Sequence, residues 1–160
     1  MIAAFCDWLA ATPVSQTFQD WAWFVPLVQT VHILSVAVVA TPVAMLAFRL
    51  LGLTRLGLTL AVMVSQFMPW IWSALAVLLV SGMLLTVTEP ARELLNFAFR
   101  AKMILVVVLA VILTILQSRL RRDPDYWTRP ARRGAARSIG VASLLVEILI
   151  VTAGRWIAYV

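Results

Sequence analysis

Residues 22–47 read AWFVPLVQTVHILSVAVVATPVAMLA and contain no Asp, Glu, Lys or Arg. Because a helix rises about 1.5 Å per residue, about 20 apolar residues cross the roughly 30 Å hydrocarbon core of a bilayer. Backbone amides in lipid must be hydrogen-bonded within their own segment, and the stretch lacks the alternation of a barrel strand. It therefore predicts a membrane-spanning helix.

Three further stretches are apolar and long enough to span a bilayer, and they are residues 69–88, 97–116 and 138–157. With the first stretch they predict an all-α fold, an integral membrane bundle of four antiparallel transmembrane helices. No internal repeat or linker divides the chain, so residues 1–160 are predicted to form a single transmembrane domain.

The segments outside the spans differ in character. Residues 2–9 predict a short N-terminal interfacial helix, with Phe5 and Trp8 at the depth of the lipid headgroups. Residues 48–68 are too apolar for a plain loop and predict an interfacial stretch. That stretch would lead to Pro69, which suits the first turn of the second span.

The composition is typical of a membrane protein, with 63% hydrophobic residues, 12% charged residues and a mean hydropathy of +0.99. The net charge of +6 comes from arginines grouped between apolar runs, which indicates contact with the lipid bilayer and not with nucleic acid. A single cysteine, Cys6, permits no intramolecular disulfide. GxSxG, P-loop and HExxH motifs are absent, so no enzyme is predicted.

The basic residues predict the orientation. Residues 48–68 and the basic connection 117–137 hold nine of the thirteen Lys and Arg residues. The positive-inside rule makes both connections cytoplasmic and places both termini on the opposite side of the membrane. The nine residues are Arg49, Arg55, Arg119, Arg121, Arg122, Arg129, Arg132, Arg133 and Arg137.

Two ionisable residues lie near the middle of predicted spans, His32 in the first and Glu147 in the fourth. Placed by the centres of their spans, they would lie roughly 5 Å apart along the membrane normal. Residues sharing a helix face with each of them extend this pair into a predicted polar seam. The polar seam comprises Gln29, His32, Ser35, Ser143 and Glu147.

The polar seam has two interpretations. In one, His32 and Glu147 hydrogen-bond and fix the packing of two helices. In the other, the imidazole ligates haem or a metal, binds a quinone, or relays a proton with Glu147. A b-type haem with two histidine ligands is possible only with a second ligand from elsewhere, since the chain has one histidine. The sequence thus leaves the cofactor and any metal open.

A second cluster of ionisable residues is predicted at the outer face of the bundle. Lys102 and Arg100 lie about one turn into the third span and must extend outward or pair with acids. Either the cluster is a network of opposite charges or its bases are ordinary helix-end anchors. The proposed network comprises Glu89, Glu93, Arg100, Lys102 and Arg155.

Several segments together resemble a family of small bacterial inner-membrane proteins known only as a domain of unknown function. They are FCDWLAATP (5–13), WFVPLVQTVHILSV (23–36), PWIWSAL (69–75), NFAFRAKMIL (96–105) and AGRWIAYV (153–160). The resemblance implies a four-helix protein of the bacterial inner membrane with no established activity. In that membrane, the orientation predicted from the basic residues would place both termini on the periplasmic side. The resemblance also implies a histidine at the position of His32, which favours a role beyond packing.

This sequence departs from the family pattern at two positions. The resemblance implies an acidic residue where this chain has Phe48, and a second histidine where it has Gln117. A two-histidine site, if relatives have one, would be incomplete in this chain.

Three functions are compatible with these features. We expect a small non-enzymatic accessory or structural subunit of a larger respiratory or photosynthetic complex, bound to other membrane subunits or to copies of itself. One alternative is a b-type haem or quinone-linked electron carrier that uses His32. The other is a small metal or solute transporter that uses His32 and Glu147.

Overall fold

The computed structural model describes residues 2–54 and 57–157. Within these ranges the chain forms α-helices, one 3₁₀ turn and no strand, which confirms the all-α prediction. The helices are α1 (Ile2–Ala10), α2 (Pro13–Asp20), α3 (Phe24–Leu51), α4 (Leu60–Thr88), α5 (Pro90–Leu94), α6 (Phe97–Arg122) and α7 (Arg133–Trp156). The 3₁₀ turn (Pro130–Arg132) directly precedes α7.

Four of the helices, α3, α4, α6 and α7, are long and apolar enough to cross a membrane. Helix α3 packs against α4 and α7, α6 packs against α7, and α4 meets α6 more lightly. The short connections between successive long helices make them antiparallel neighbours. The four predicted spans therefore form one helical bundle.

The first connection is shorter than predicted, because most of residues 48–68 is helical. Helix α3 continues to Leu51 and ends at Gly52, whose φ of 79° is the left-handed conformation of a helix C-terminus. Helix α4 begins after Thr59, whose side chain accepts a hydrogen bond from the Val62 amide. The prediction that Pro69 occupies a first turn is wrong, because Pro69 lies inside α4.

The two ends of the bundle differ. We call one the terminal end, because it carries α1, α2, α5 and the last turn of α7. We call the other the arginine end, because it carries the connections 52–59 and 123–132. Arg55, which contributes to the predicted orientation, lies outside the described residues.

The predicted N-terminal helix is confirmed as α1, and its Phe5 and Trp8 are exposed. Helix α2 is tied to the end of α4, where Ser15 Oγ donates to the Val87 carbonyl at 2.7 Å. Gln19 Nε2 donates to the Thr88 carbonyl at 2.9 Å. These bonds hold the N-terminal segment over the terminal end.

The hydrophobic core lies mostly in the arginine-end half of the bundle. Its side chains come from all four long helices and interdigitate with little exposed surface. The core comprises Val39, Val43, Leu46, Leu50, Leu60, Met63, Val64, Met68, Ile71, Ala74, Leu109, Leu113, Leu116, Leu120, Trp127 and Ala136. The terminal-end half contributes few residues to this core and contains the candidate site.

Candidate functional site

The chain has one histidine and one lysine, and the two side chains meet inside the terminal-end half of the bundle. His32 on α3 lies between Ser81 on α4 and Lys102 on α6. Its Nδ1 is 2.8 Å from Ser81 Oγ, and its Nε2 is 3.3 Å from Lys102 Nζ. The imidazole therefore links three helices through its two ring nitrogens.

The direction of each hydrogen bond follows from Ser81. Its hydroxyl has one hydrogen, and that hydrogen is donated to the Val77 carbonyl at 2.7 Å. Ser81 Oγ must then accept from His32 Nδ1–H, which leaves Nε2 as the unprotonated nitrogen. Nε2 accepts from the Lys102 ammonium, so the arrangement combines a neutral imidazole in one tautomer with a lysine cation.

Two glycines face this pair. A Cβ atom added to Gly82 on α4 would lie 3.6 Å from His32 Cε1, and one added to Gly154 on α7 would lie 3.7 Å from Lys102 Nζ. Both are ordinary van der Waals distances. Because neither glycine carries a side chain, the helices leave open space beside the imidazole and the ammonium.

That space is a cavity of about 410 Å³, which we call the terminal cavity. Its apolar lining residues are Val25, Ile33, Val36, Leu85, Phe99, Ile150, Val151 and Ile157. Its polar lining residues are Gln29, His32, Thr88, Glu89, Arg92, Glu93, Lys102 and Arg155. The terminal cavity thus combines a mainly hydrocarbon wall with a small set of donors and acceptors, as small-molecule sites do.

The predicted outer-face network is brought together only in part. Glu89, Glu93, Lys102 and Arg155 all line the terminal cavity, whereas Arg100 does not. Arg100 is exposed, and its Nη2 donates to the Leu95 carbonyl at 3.4 Å.

The acids of this network have partners that the sequence did not indicate. Glu89 forms an ion pair of 2.7 Å with Arg92, a residue left out of the predicted network, and both side chains are about half exposed. Burial raises the pKa of Glu93, while the nearby charges of Lys102 and Arg92 oppose that rise. Glu89, at the N-cap of α5, and Glu93, within α5, thus partly balance the cations at the mouth of the terminal cavity.

The predicted hydrogen bond between His32 and Glu147 is wrong. Both imidazole nitrogens are occupied by other residues, and Glu147 Oε2 is buried without a hydrogen-bond partner among the described residues. The cause is the packing register of α3 and α7. A Cβ on Gly140 would lie within 3.2 Å of Leu50, so Glu147 is roughly level with Pro42, about 15 Å from His32 along α3.

The rest of the polar seam does not form a continuous network. Ser35 and Ser143 are buried, but each hydroxyl donates to a carbonyl of its own helix, at Val31 and Ile139 respectively, both at 2.8 Å. Only Gln29 accompanies His32 in the terminal cavity. The prediction that the five residues form one seam is therefore wrong.

Sequence reasoning missed the partners of His32. Ser81 is one of several serines in apolar helices and gave no signal by itself. Lys102 did carry one, because it is the single lysine among thirteen basic residues. A flexible ammonium differs chemically from a guanidinium, so one lysine among arginines indicates a position with special requirements.

Position 117, where the family resemblance implies a second histidine, lies far from this site. Gln117 Oε1 accepts a hydrogen bond of 3.3 Å from Trp72 Nε1. It is fifteen residues after Lys102 on α6, or about 22 Å along the helix axis. A histidine there would not share a haem or metal ion with His32.

Comparison with known proteins identifies the family but no function. Residues 13–160 match the model of a family of unknown function, DUF6644, so the chain belongs to this family. Neither a curated protein nor a solved structure matches the chain.

Proposed function

We propose, because membership of the family assigns no activity, that this protein is a non-enzymatic membrane protein that binds a small lipid-soluble ligand in the terminal cavity. The ligand class is a quinone or a similar ring compound with a hydrogen-bond-accepting oxygen. One observation carries the proposal. The only lysine ammonium of the chain is held by the only histidine at the wall of a mainly apolar cavity of about 410 Å³.

The hydrogen bonds of the histidine–lysine pair favour a ligand that accepts a hydrogen bond. An ammonium has three N–H donors, and among the described residues the one hydrogen bond of Lys102 is that to His32. A carbonyl oxygen entering the cavity could therefore accept from Lys102 while the imidazole keeps its orientation. The bond from His32 to Ser81 already fixes the orientation of the ring, so little conformational freedom of the imidazole would be lost when the ligand binds.

The apolar wall supports the choice of a lipid-soluble compound. Val36, Leu85 and Ile150 line the cavity deeper in the bundle, and Phe99 offers an aromatic side chain. A ring and its alkyl tail would be buried against these residues, while the charged residues at the terminal end would stay in contact with water.

We propose, as the setting of this site, a bacterial inner membrane with both termini on the periplasmic side. The arginines of the connections 52–59 and 123–132 and of the adjoining helix ends support the orientation through the positive-inside rule. The terminal cavity would then open toward the periplasm.

The other expected functions have less support. Haem ligation by His32 would require the imidazole to give up its bond to Ser81 or Lys102. Transport by a His32–Glu147 pair lacks the contact on which it was based. Docking to a larger complex stays a prediction, because lipid accounts equally well for the exposed apolar side chains of the long helices.

The test is a calorimetric titration of the purified protein, in detergent, with a short-chain ubiquinone. We expect wild-type protein to bind and Lys102→Met to bind at least tenfold more weakly, a loss of about 1.4 kcal/mol. Arg100→Met is the matched control, because it removes an exposed cation two residues away and should leave affinity unchanged. Absence of wild-type binding, or equal affinity in Lys102→Met, would refute the proposal.

A further inference from the structure

A second cavity, of about 380 Å³, lies at the arginine end and is separate from the terminal cavity. We call it the arginine cavity. It lies where the end of α3, the start of α4 and the first turns of α7 meet the loop before the 3₁₀ turn. The residues important here are Arg49, Trp127, Arg133, Ala136 and Arg137.

The charge in the arginine cavity has one sign. Arg49, Arg133 and Arg137 contribute three guanidinium groups, and no Asp or Glu is among the described lining residues. The loop has two acids: Asp123 is paired with Arg129 at 2.7 Å, and Asp125 is exposed, and neither lines the cavity. The cavity is therefore a positively charged concavity without an internal counter-charge.

Two buried donors beside this cavity have no acceptor among the described residues. Arg49 donates through Nη1 to the Thr54 carbonyl and through Nη2 to the Leu58 carbonyl, but its Nε is buried and unpartnered. Trp127 is 7% exposed, and its Nε1 also has no partner. Buried N–H groups are ordinarily hydrogen-bonded, so this pair indicates an acceptor supplied from outside the chain.

The start of α7 adds a favourable helix dipole. Its N-cap residue, Arg132, makes no side-chain cap, and the first turn contains no acidic residue. The amides of Arg132 and Arg133 already donate to the Arg129 and Pro130 carbonyls of the 3₁₀ turn, but the dipole of the 24-residue helix still favours an anion at that position. The first turns of α7 form part of the cavity wall through Arg133, Ala136 and Arg137.

We propose that the arginine cavity binds a phosphate group, carried either by an anionic phospholipid or by free phosphate. Guanidinium groups bind phosphate oxygens through paired N–H donors, and three of them converge here. The Trp127 indole would supply a neutral donor to the same group, and the dipole of α7 would favour its charge. This site is independent of the ligand proposed for the terminal cavity.

The experiment compares two double variants of the full-length protein in two arms. Arg133→Gln/Arg137→Gln removes two exposed cavity arginines, and Arg121→Gln/Arg122→Gln removes the same charge from exposed positions of the arginine end outside the cavity. One arm titrates inorganic phosphate by calorimetry at low ionic strength. The other counts phosphatidylglycerol retained by native mass spectrometry, with phosphatidylcholine as the neutral lipid.

We expect the cavity variant to lose at least tenfold in affinity and the control variant less than threefold. Binding in the phosphate arm identifies a site for free phosphate, and retention of phosphatidylglycerol alone identifies a lipid headgroup site. Trp127→Phe keeps the aromatic ring and should lose at least threefold. Absence of binding in both arms, equal losses in the two double variants, or unchanged binding in Trp127→Phe would overturn the proposal.

Discussion

The two halves of the bundle are built from the same four helices but are filled differently. In the arginine-end half, branched and linear aliphatic side chains fill the space between helices, and residues such as Leu46, Met68 and Leu113 are 1% exposed. In the terminal-end half, glycines and a histidine–lysine pair surround open volume. The first half contains the buried core, and the second leaves a cavity open beside the histidine–lysine pair.

The largest effect should come from a cavity created in the packed half. Leu113→Ala removes a side chain that is 1% exposed, and we expect the free energy of unfolding to fall by about 2–5 kcal/mol. Ile104→Ala, on the same helix but 66% exposed, is the control and should change it little. Unfolding by denaturing detergent in mixed micelles measures both. Equal losses would mean that the two halves do not differ in packing.

A second prediction concerns excess volume in the packed half. A Cβ on Gly140 would lie 3.0 Å from the Ala47 carbonyl oxygen, so Gly140→Ala should destabilise by about 1–3 kcal/mol. Gly134 on the same helix has no atom within 4 Å of an added Cβ, and Gly134→Ala should be neutral or slightly stabilising. Thermal unfolding of the two variants tests this prediction. A Gly140→Ala variant as stable as the wild-type protein would contradict the close packing of α7 against α3.

In the terminal-end half, removal of the hydrogen bond between His32 and Ser81 should reduce stability less than the two changes in the packed half. Ser81→Ala leaves the Nδ1–H donor without its acceptor, so we expect a loss of about 1 kcal/mol. Quinone affinity should fall as well, because the ring loses its fixed tautomer. Ser73→Ala removes an exposed hydroxyl that bonds only its own helix and serves as the control. Unchanged affinity in Ser81→Ala would show that the tautomer does not matter.

The smallest effect should be a pH dependence at the mouth of the terminal cavity. Burial raises the pKa of Glu93 above its ordinary value of 4.5, so the folded state holds this proton more tightly than the unfolded state does. The resulting stabilisation is complete below pH 4.5 and is lost as the pH rises through the native pKa. Glu93→Gln should remove this slope in thermal unfolding measured from pH 4 upward. Glu89→Gln, at a more exposed neighbour, should retain it.

The four long helices could be predicted because each contains a run of apolar residues longer than the hydrocarbon core requires. Their ends could not, since the helices continue past the predicted spans through residues 60–68 and 117–122, which are more mixed in character. Pro69 illustrates the difficulty, because a proline marks a helix start in water but is tolerated inside a membrane helix.

The site could be predicted in its residue types but not in its contacts. His32 was identified from its rarity, and its partner was then inferred from its depth in the span and from the helix faces. Depth inferred from span centres ignores how two helices slide along each other, and the contact of Gly140 with Leu50 shows that α7 is shifted by several residues. Lys102 was expected to extend outward or to pair with acids because it is near a helix end, yet its long side chain reaches inward to His32.

The presence of a single lysine makes this site chemically addressable. Apart from the amino terminus of the chain, Lys102 carries the only primary amine, so an acylating reagent would modify one position inside the bundle. The fraction of protein that gains mass would then report, without any mutation, how far a bound compound shields that amine. Acylation of the native protein would thus measure the fraction of molecules in which a bound compound covers Lys102.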